Sequence, residues 1–267
     1  DFCLSRGLGD VYKRQEIYNY RQMIYSLVNK ELKVRYKGSI LGFFWTFLNP
    51  LLQLIVYTIV FSVILKSSIK NFHIYLFVGL VPWIFFTTCI QAGSVSIVAN
   101  KDLVKKIYFP RIVLPIATVN AAFMNMVYTM IVVILTVSFS EVGLSWYVLL
   151  LPVIMILQYI MVLGITFIFA ALNVFFRDLE YILNIVIMAW FYATPIVYSM
   201  DMVPSEYKGI FLMNPMTSII IFYREILYYK KIPDFSFFGS AVLYSVIMIF
   251  VGYFVFEKLQ KSFAEEL

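Results

Sequence analysis

Long apolar runs separated by short clusters of charge make up most of the chain. Six stretches contain no Asp, Glu, Lys or Arg and are long enough to cross a membrane: Gly38 to Leu65, Ile74 to Asn100, Ile112 to Ser140, Val142 to Phe176, Tyr181 to Met200 and Phe235 to Phe256. A helix needs about 20 apolar residues to traverse about 30 Å of hydrocarbon. Each run is continuous, whereas barrel strands would alternate over about 10 residues. The pattern therefore predicts an all-α integral membrane protein with six transmembrane helices. A further run, Gly209 to Tyr223, has only 15 residues and contains Asn214 and Pro215. It predicts a re-entrant or interfacial segment on the external side between spans five and six.

The segment before the first span follows a different rule. From Glu16 to Lys37, Ile17, Tyr20, Ile24, Leu27 and Val28 recur at helical spacing, with Arg21, Lys30, Lys33 and Arg35 off or flanking that stripe. This predicts an amphipathic helix over 16–37 lying in the membrane interface. A helix packed against the cytoplasmic side of the protein is the alternative. Residues 1–15 have no apolar periodicity and meet the helix abruptly, so they read as a non-native or disordered tail. Residues 38–267 form one membrane domain with no internal repeat, and Pro50 after Asn49 predicts a kink in its first span.

Composition agrees: 62% of residues are hydrophobic, 13% are charged and the mean hydropathy is +0.87, against roughly 25% charged residues in soluble domains. Six spans put both termini on one side. Of the 21 Lys and Arg residues, 15 fall on that side, which makes it cytoplasmic, because cytoplasmic loops are enriched in cations. A multi-pass protein with both termini cytoplasmic is expected. Cys3 and Cys89 are far apart, and Cys89 falls within a span, so no disulfide is expected.

Enzyme chemistry needs clustered carboxylates, a nucleophile with its base, or metal ligands at motif spacing. The sequence offers none, and His73, its only histidine, sits beside a span end. No cofactor or metal is expected on this chain. It has no G-x-x-x-x-G-K-[ST] phosphate-binding loop, and the spans carry no ionisable residue of the kind that ion-coupled pumps use. Energy is then expected from a separate ATPase, although sodium coupling through backbone carbonyls stays open.

An external motor needs a rigid handle, and "NKDLVKKIYFPRIVLP" from Asn100 suits one. Asn100 or Asp102 can cap a short helix, Lys105 and Lys106 offer a polar face, Ile107, Tyr108 and Phe109 an apolar plug, and Pro110 a stop. A plain cationic topology loop is the other reading of this segment.

With "ELKVRYKGSILGFFWTFLNPLL" from Glu31, "NVFFRDLEYIL" from Asn173, "ATPIVYSMDMVP", and "NPMTSIIIFYREIL" from Asn214, this segment resembles the permease subunits of ABC-2 type exporters. Specifically it resembles the polysaccharide and polyol-phosphate branch, which includes O-antigen, capsule and teichoic acid permeases. With the last two strings taken as one, the four patterns cover residues 16 to 267, and the resemblance implies a location in the bacterial inner membrane. The resemblance implies a homodimer working with two copies of an ATP-binding subunit, which holds ATP and Mg. It also implies a cytoplasmic coupling helix that meets the ATPase through Lys101, Asp102, Lys105, Lys106, Tyr108 and Phe109, and two external re-entrant helices.

Arg177 and Asp178 are candidates for the same interface, with helix capping by Asp178 as the alternative. Lys33, Arg35 and Lys37 precede the first span, where cations meet anionic lipid headgroups, and they are candidates for the diphosphate of a lipid-linked glycan. Trp45, Tyr57, Phe85, Tyr192 and Tyr198 are candidates to line a sugar-conducting channel, since aromatic faces stack on sugars. The expected function is ATP-driven export of a lipid-linked polysaccharide or teichoic-acid-like polymer. Export of lipids or small amphiphiles, a non-transporting membrane scaffold and an ion-driven carrier are the alternatives.

Overall fold

The computed structural model describes residues 18–36, 38–64 and 69–267, and these are helical with no strand among them. The elements are α1 (Arg21–Tyr36), α2 (Trp45–Thr58), α3 (Phe72–Ser94), α4 (Lys101–Lys106), α5 (Val113–Ser138), α6 (Leu151–Phe175), α7 (Leu179–Tyr192), α8 (Ser205–Met213), α9 (Pro215–Leu227), α10 (Phe235–Leu259) and α11 (Phe263–Glu266). Five helical stretches are long and apolar enough to cross a membrane: Gly42–Ser62, Phe72–Ser94, Val113–Ser138, Trp146–Phe175 and Phe235–Ser262. A sixth is available if α8 and α9, bent by 100° at Asn214, count as one broken span. The suspect tail 1–15 and Lys37 lie outside the described residues.

The apolar pattern dictates position. α3 is apolar around most of its circumference, so it takes the centre, and most of it is buried. Around it, α5, α6 and α9 close the main core through residues such as Leu76, Phe86, Met130, Ile154 and Ile219. α6 and α10 form the most extensive helix pair, and glycine sets their spacing. A Cβ on Gly252 would stand 2.0 Å from the Gly164 carbonyl oxygen, and one on Gly164 would stand 2.2 Å from that of Met248. Small residues at the crossing let the two backbones meet, and the Ser245 hydroxyl donates across the same seam to the Leu157 carbonyl at 2.8 Å.

The stripe of α1 turns inward. Tyr20, Met23, Ile24 and Leu27 pack on a second cluster containing Val104, Phe109, Phe167, Phe256 and Phe263, and α1 lies against α5. Ile17, the first residue of the expected stripe, is outside the described residues.

The expected fifth span, Tyr181 to Met200, is shorter than its apolar run. α7 ends at Tyr192, and its 14 residues reach only about 21 Å at ~1.5 Å per residue. The stop is Pro195, which lacks an N–H and disfavours helix in the residue before it. α2 runs through Pro50 and is continued by a π-helical stretch, Ile59–Ile64. Pro50 cannot donate to the Thr46 carbonyl one turn back, and the Thr129 hydroxyl of α5 approaches that oxygen at 3.4 Å.

Candidate functional site

Three places in the fold gather polar side chains. The first is the end where α3 passes into α5. A single 3-10 turn, Val98–Asn100, leads into α4, whose Val104 points into the second cluster. Lys101, Asp102, Lys105 and Lys106 face outward. Tyr108 is 89% exposed and Phe109 only 6%, so the aromatic tip divides into an outward ring and an inward anchor. Asn100 holds the N-cap position without a capping bond. Its amide instead donates to the Ser96 carbonyl at 2.8 Å, and its oxygen accepts from Lys30 at 3.4 Å. The Tyr20 hydroxyl donates to the Tyr108 carbonyl at 3.4 Å, so α1 braces both ends of this segment.

Arg111 donates to the Gln260 carbonyl and lies 5.8 Å from the centre of the Phe263 ring. A cavity of about 350 Å³ between Tyr108, Pro110, Glu257 and Lys261 separates the tip from the end of α10. Arg177 and Asp178 are exposed at the turn between α6 and α7, beside another cavity of about 680 Å³. Asp178 sits at the N-cap of α7, but its side chain makes no capping bond. Lys33 is exposed on α1. The Arg35 side chain and Lys37 fall outside the described residues.

The second place is a groove of about 440 Å³ between α2, α3 and α5. It brings together three of the five aromatic residues named from sequence: Trp45, Tyr57 and Phe85. Tyr192 and Tyr198 do not line it. They sit at the far end of α7, where the Tyr198 hydroxyl donates to the Tyr192 carbonyl at 2.6 Å. The groove also holds Asn49, Gln53, Thr87, Thr88, Gln91, Asn125 and Thr129, which a search for ionisable residues passes over. The usable signal was amides recurring at helical spacing within apolar runs.

The third place surrounds Arg224, which is 2% exposed. Its guanidinium donates to the Tyr75 hydroxyl at 2.6 Å, to the Ile196 carbonyl at 2.5 Å and to the Pro195 carbonyl. Arg224 therefore satisfies carbonyls that the break after α7 sets free, as buried irregular backbone requires. Asn214 serves the same break: its amide donates to the Ala193 carbonyl at 3.1 Å and to the Thr194 hydroxyl at 2.8 Å. The Asn214 side-chain oxygen accepts from the Met216 N–H at 3.0 Å, capping α9, with Pro215 at the first helical position.

Glu225, next to Arg224 in sequence, pairs elsewhere. Glu225 lies 3.0 Å from Lys231 and accepts from the Asp234 N–H at 3.2 Å. Adjacent residues on a helix point in different directions, so one turn of α9 serves two separate networks. Hydrogen bonding to Glu225 raises the Lys231 pKa above its ordinary 10.5.

A buried relay joins the framework behind these places. The Tyr223 hydroxyl donates to Gln158 at 2.9 Å, and the Gln158 amide donates to the Pro82 carbonyl at 2.8 Å, linking α9, α6 and α3.

Comparison with known proteins then supplies the family. The ABC-2 type transporter model matches residues 22–228. The O-antigen export system permease protein RfbA of Myxococcus xanthus is 37% identical over 256 residues, covering 95% of this chain and 98% of that protein. The RfbA protein of Klebsiella pneumoniae is 37% identical over 243 residues, 90% of this chain and 93% of its own. More distantly, the polysialic acid transport protein KpsM of Escherichia coli is 22% identical, covering 85% and 89%. A family match over most of the chain, reinforced by relatives aligned nearly end to end, makes this protein a member of the ABC-2 type transporter family.

Proposed function

We propose that the chain is the membrane permease of an ATP-driven exporter that carries a lipid-linked polysaccharide from the cytoplasmic to the outer side of the bacterial inner membrane. Relatives named for O-antigen export, at 37% identity over nearly their whole length, support the substrate class. The observation that carries the reading is the exposed, cationic and aromatic tip at α4, braced by α1 and rooted in the second cluster by Val104 and Phe109. It offers a separate ATPase a surface that is mechanically continuous with the spans.

In this reading both termini are cytoplasmic and two copies of the chain work with two ATP-binding subunits. ATP closure on the partner pushes Lys101, Asp102, Lys105, Lys106 and Tyr108, while Phe109 passes the push into the bundle. Arg177 and Asp178 flank the same surface, and Lys33, Arg35 and Lys37 attract the diphosphate of the lipid carrier. α8 and α9 form the external re-entrant pair.

Co-purification of the chain with the ATP-binding protein encoded beside it, comparing wild type with Lys105→Glu and Tyr108→Ala, tests this. A stable complex whose ATPase rate falls in the variants is the expected result. Failure of any ATPase to associate would remove the proposal.

A further inference from the structure

Asn49 and Gln53 lie one helical turn apart in the middle of the first span, both side chains are exposed, and neither makes a hydrogen bond among the described residues. Gln91 of α3 is also exposed and donates to Asn184 of α7 at 2.8 Å, itself exposed beside Ile185 and Met188. Primary amides facing hydrocarbon are costly. Side chains of this kind within spans face a polar content and mark a substrate path. The groove that Asn49, Gln53 and Gln91 line extends along α2 from Trp45 to Tyr57, with Thr87, Thr88 and Thr129 on its other walls. Among its lining residues there is no Asp, Glu, Lys or Arg.

That combination sets a chemical preference. Amides and hydroxyls both donate and accept, as sugar hydroxyls do, so the two surfaces can exchange hydrogen bonds in any register along a repeating polymer. Flat rings at both ends of the groove stack on the apolar faces of pyranose rings. A carboxylate or phosphate drawn along the same wall would lose its hydration and meet no compensating cation, whereas pathways for anions are lined by Arg or Lys.

Resting on the exporter reading above, we infer that this groove contacts the moving glycan and selects an uncharged polymer over a polyanionic one. Among the described residues, no Lys or Arg lines the groove. Lys33 is exposed on α1, and the α4 lysines are exposed beyond the end of the span. Negative charge is therefore accommodated at the lipid-carrier end of the substrate and discriminated against in its sugar chain.

The test reconstitutes the complex with its ATPase in proteoliposomes and supplies two polyprenyl-diphosphate oligosaccharides of equal length, one of neutral hexoses and one with a uronic acid in each repeat. Wild type is expected to show ATP hydrolysis stimulated several-fold by the neutral glycan and little by the acidic one. Gln53→Lys combined with Asn49→Lys is expected to reverse the order of stimulation in a complex that still co-purifies. Gln53→Leu should weaken stimulation by the neutral glycan without admitting the acidic one. If the acidic glycan stimulates wild type equally, the selectivity is refuted while export stands. If neither glycan stimulates an intact complex, the exporter reading itself fails. Disulfide formation between two copies carrying Gln53→Cys, with no loss of neutral-glycan stimulation, would make the groove a subunit seam and overturn the inference.

Discussion

The guanidinium carbon of Arg224 stands 3.6 Å from the centre of the Tyr75 ring while the same group donates to that tyrosine's hydroxyl at 2.6 Å. The contact joins α9 to α3, and the bonds to Pro195 and Ile196 add the end of α7. A planar fork with several donors can serve these acceptors together, and an ammonium cannot. Arg224→Leu should expose the cost of stranded buried acceptors, about 1–3 kcal/mol each. Arg224→Lys should recover only part of it. The fraction of detergent-solubilised protein that stays monodisperse after heating measures both.

The division of the aromatic tip gives a paired prediction. Phe109→Ala should cost about 3–5 kcal/mol as a buried truncation, seen as lower thermal stability of the isolated permease. Tyr108→Ala should leave that stability unchanged and lower ATPase stimulation in the complex. Equal thermal losses for both variants would contradict the burial pattern.

At the seam of α6 and α10, Gly252→Leu should force the backbones apart. Overpacking typically costs about 1–3 kcal/mol, and a backbone oxygen cannot rotate away as a side chain can. A sharp fall in folded yield is expected. Gly209→Leu, at a site with open space, is the control and should be tolerated.

Gln158→Leu keeps the approximate size of the side chain and removes both bonds of the relay between Tyr223 and Pro82. Two buried groups lose partners, so a loss of about 2–6 kcal/mol is expected at about 1–3 kcal/mol for each unmade bond. Combining it with Tyr223→Phe should add little, because one hydroxyl bond is shared. A thermal-stability double-mutant cycle reads this out.

The Lys231 contact with Glu225 should be indifferent to pH over the working range. The folded pKa is raised above 10.5, so its stabilising contribution is fully present below 10.5 and is lost as pH rises through the folded value. The difference in thermal stability between wild type and Lys231→Met should therefore stay constant from about pH 6 to 9 and shrink only above 10.5.

Long apolar runs made most spans legible, because hydrocarbon thickness demands them whatever the neighbours are. The short run holding the Asn-Pro pair stood apart from the spans in the sequence, and it is there that the structure bends by 100°. The early end of α7 was less visible, since residues 193–199 are apolar enough to pass for helix, and only Pro195 marks the break. A search for charge-free runs also set Arg224 and Glu225 among loop residues, although both are buried on α9. Whether an arginine is solvated or satisfies carbonyls from another helix is decided by tertiary partners that adjacent sequence does not contain. For the same reason, Trp45, Tyr57 and Phe85 could be nominated one by one, while the amides that share their groove came together only through packing.

The backbone contact between Gly164 and Gly252 also limits how the molecule can move. Two helices touching through side chains can slide by changing rotamers, but carbonyls pressed against glycine backbone leave no slack for slippage. A displacement applied beside α4 enters the cluster where Phe109, Phe167 and Phe256 meet, and so reaches α6 and α10 together. Those helices must then respond as a single lever, and any change in aperture falls to the lightly embedded α2 and the short α7 beside it.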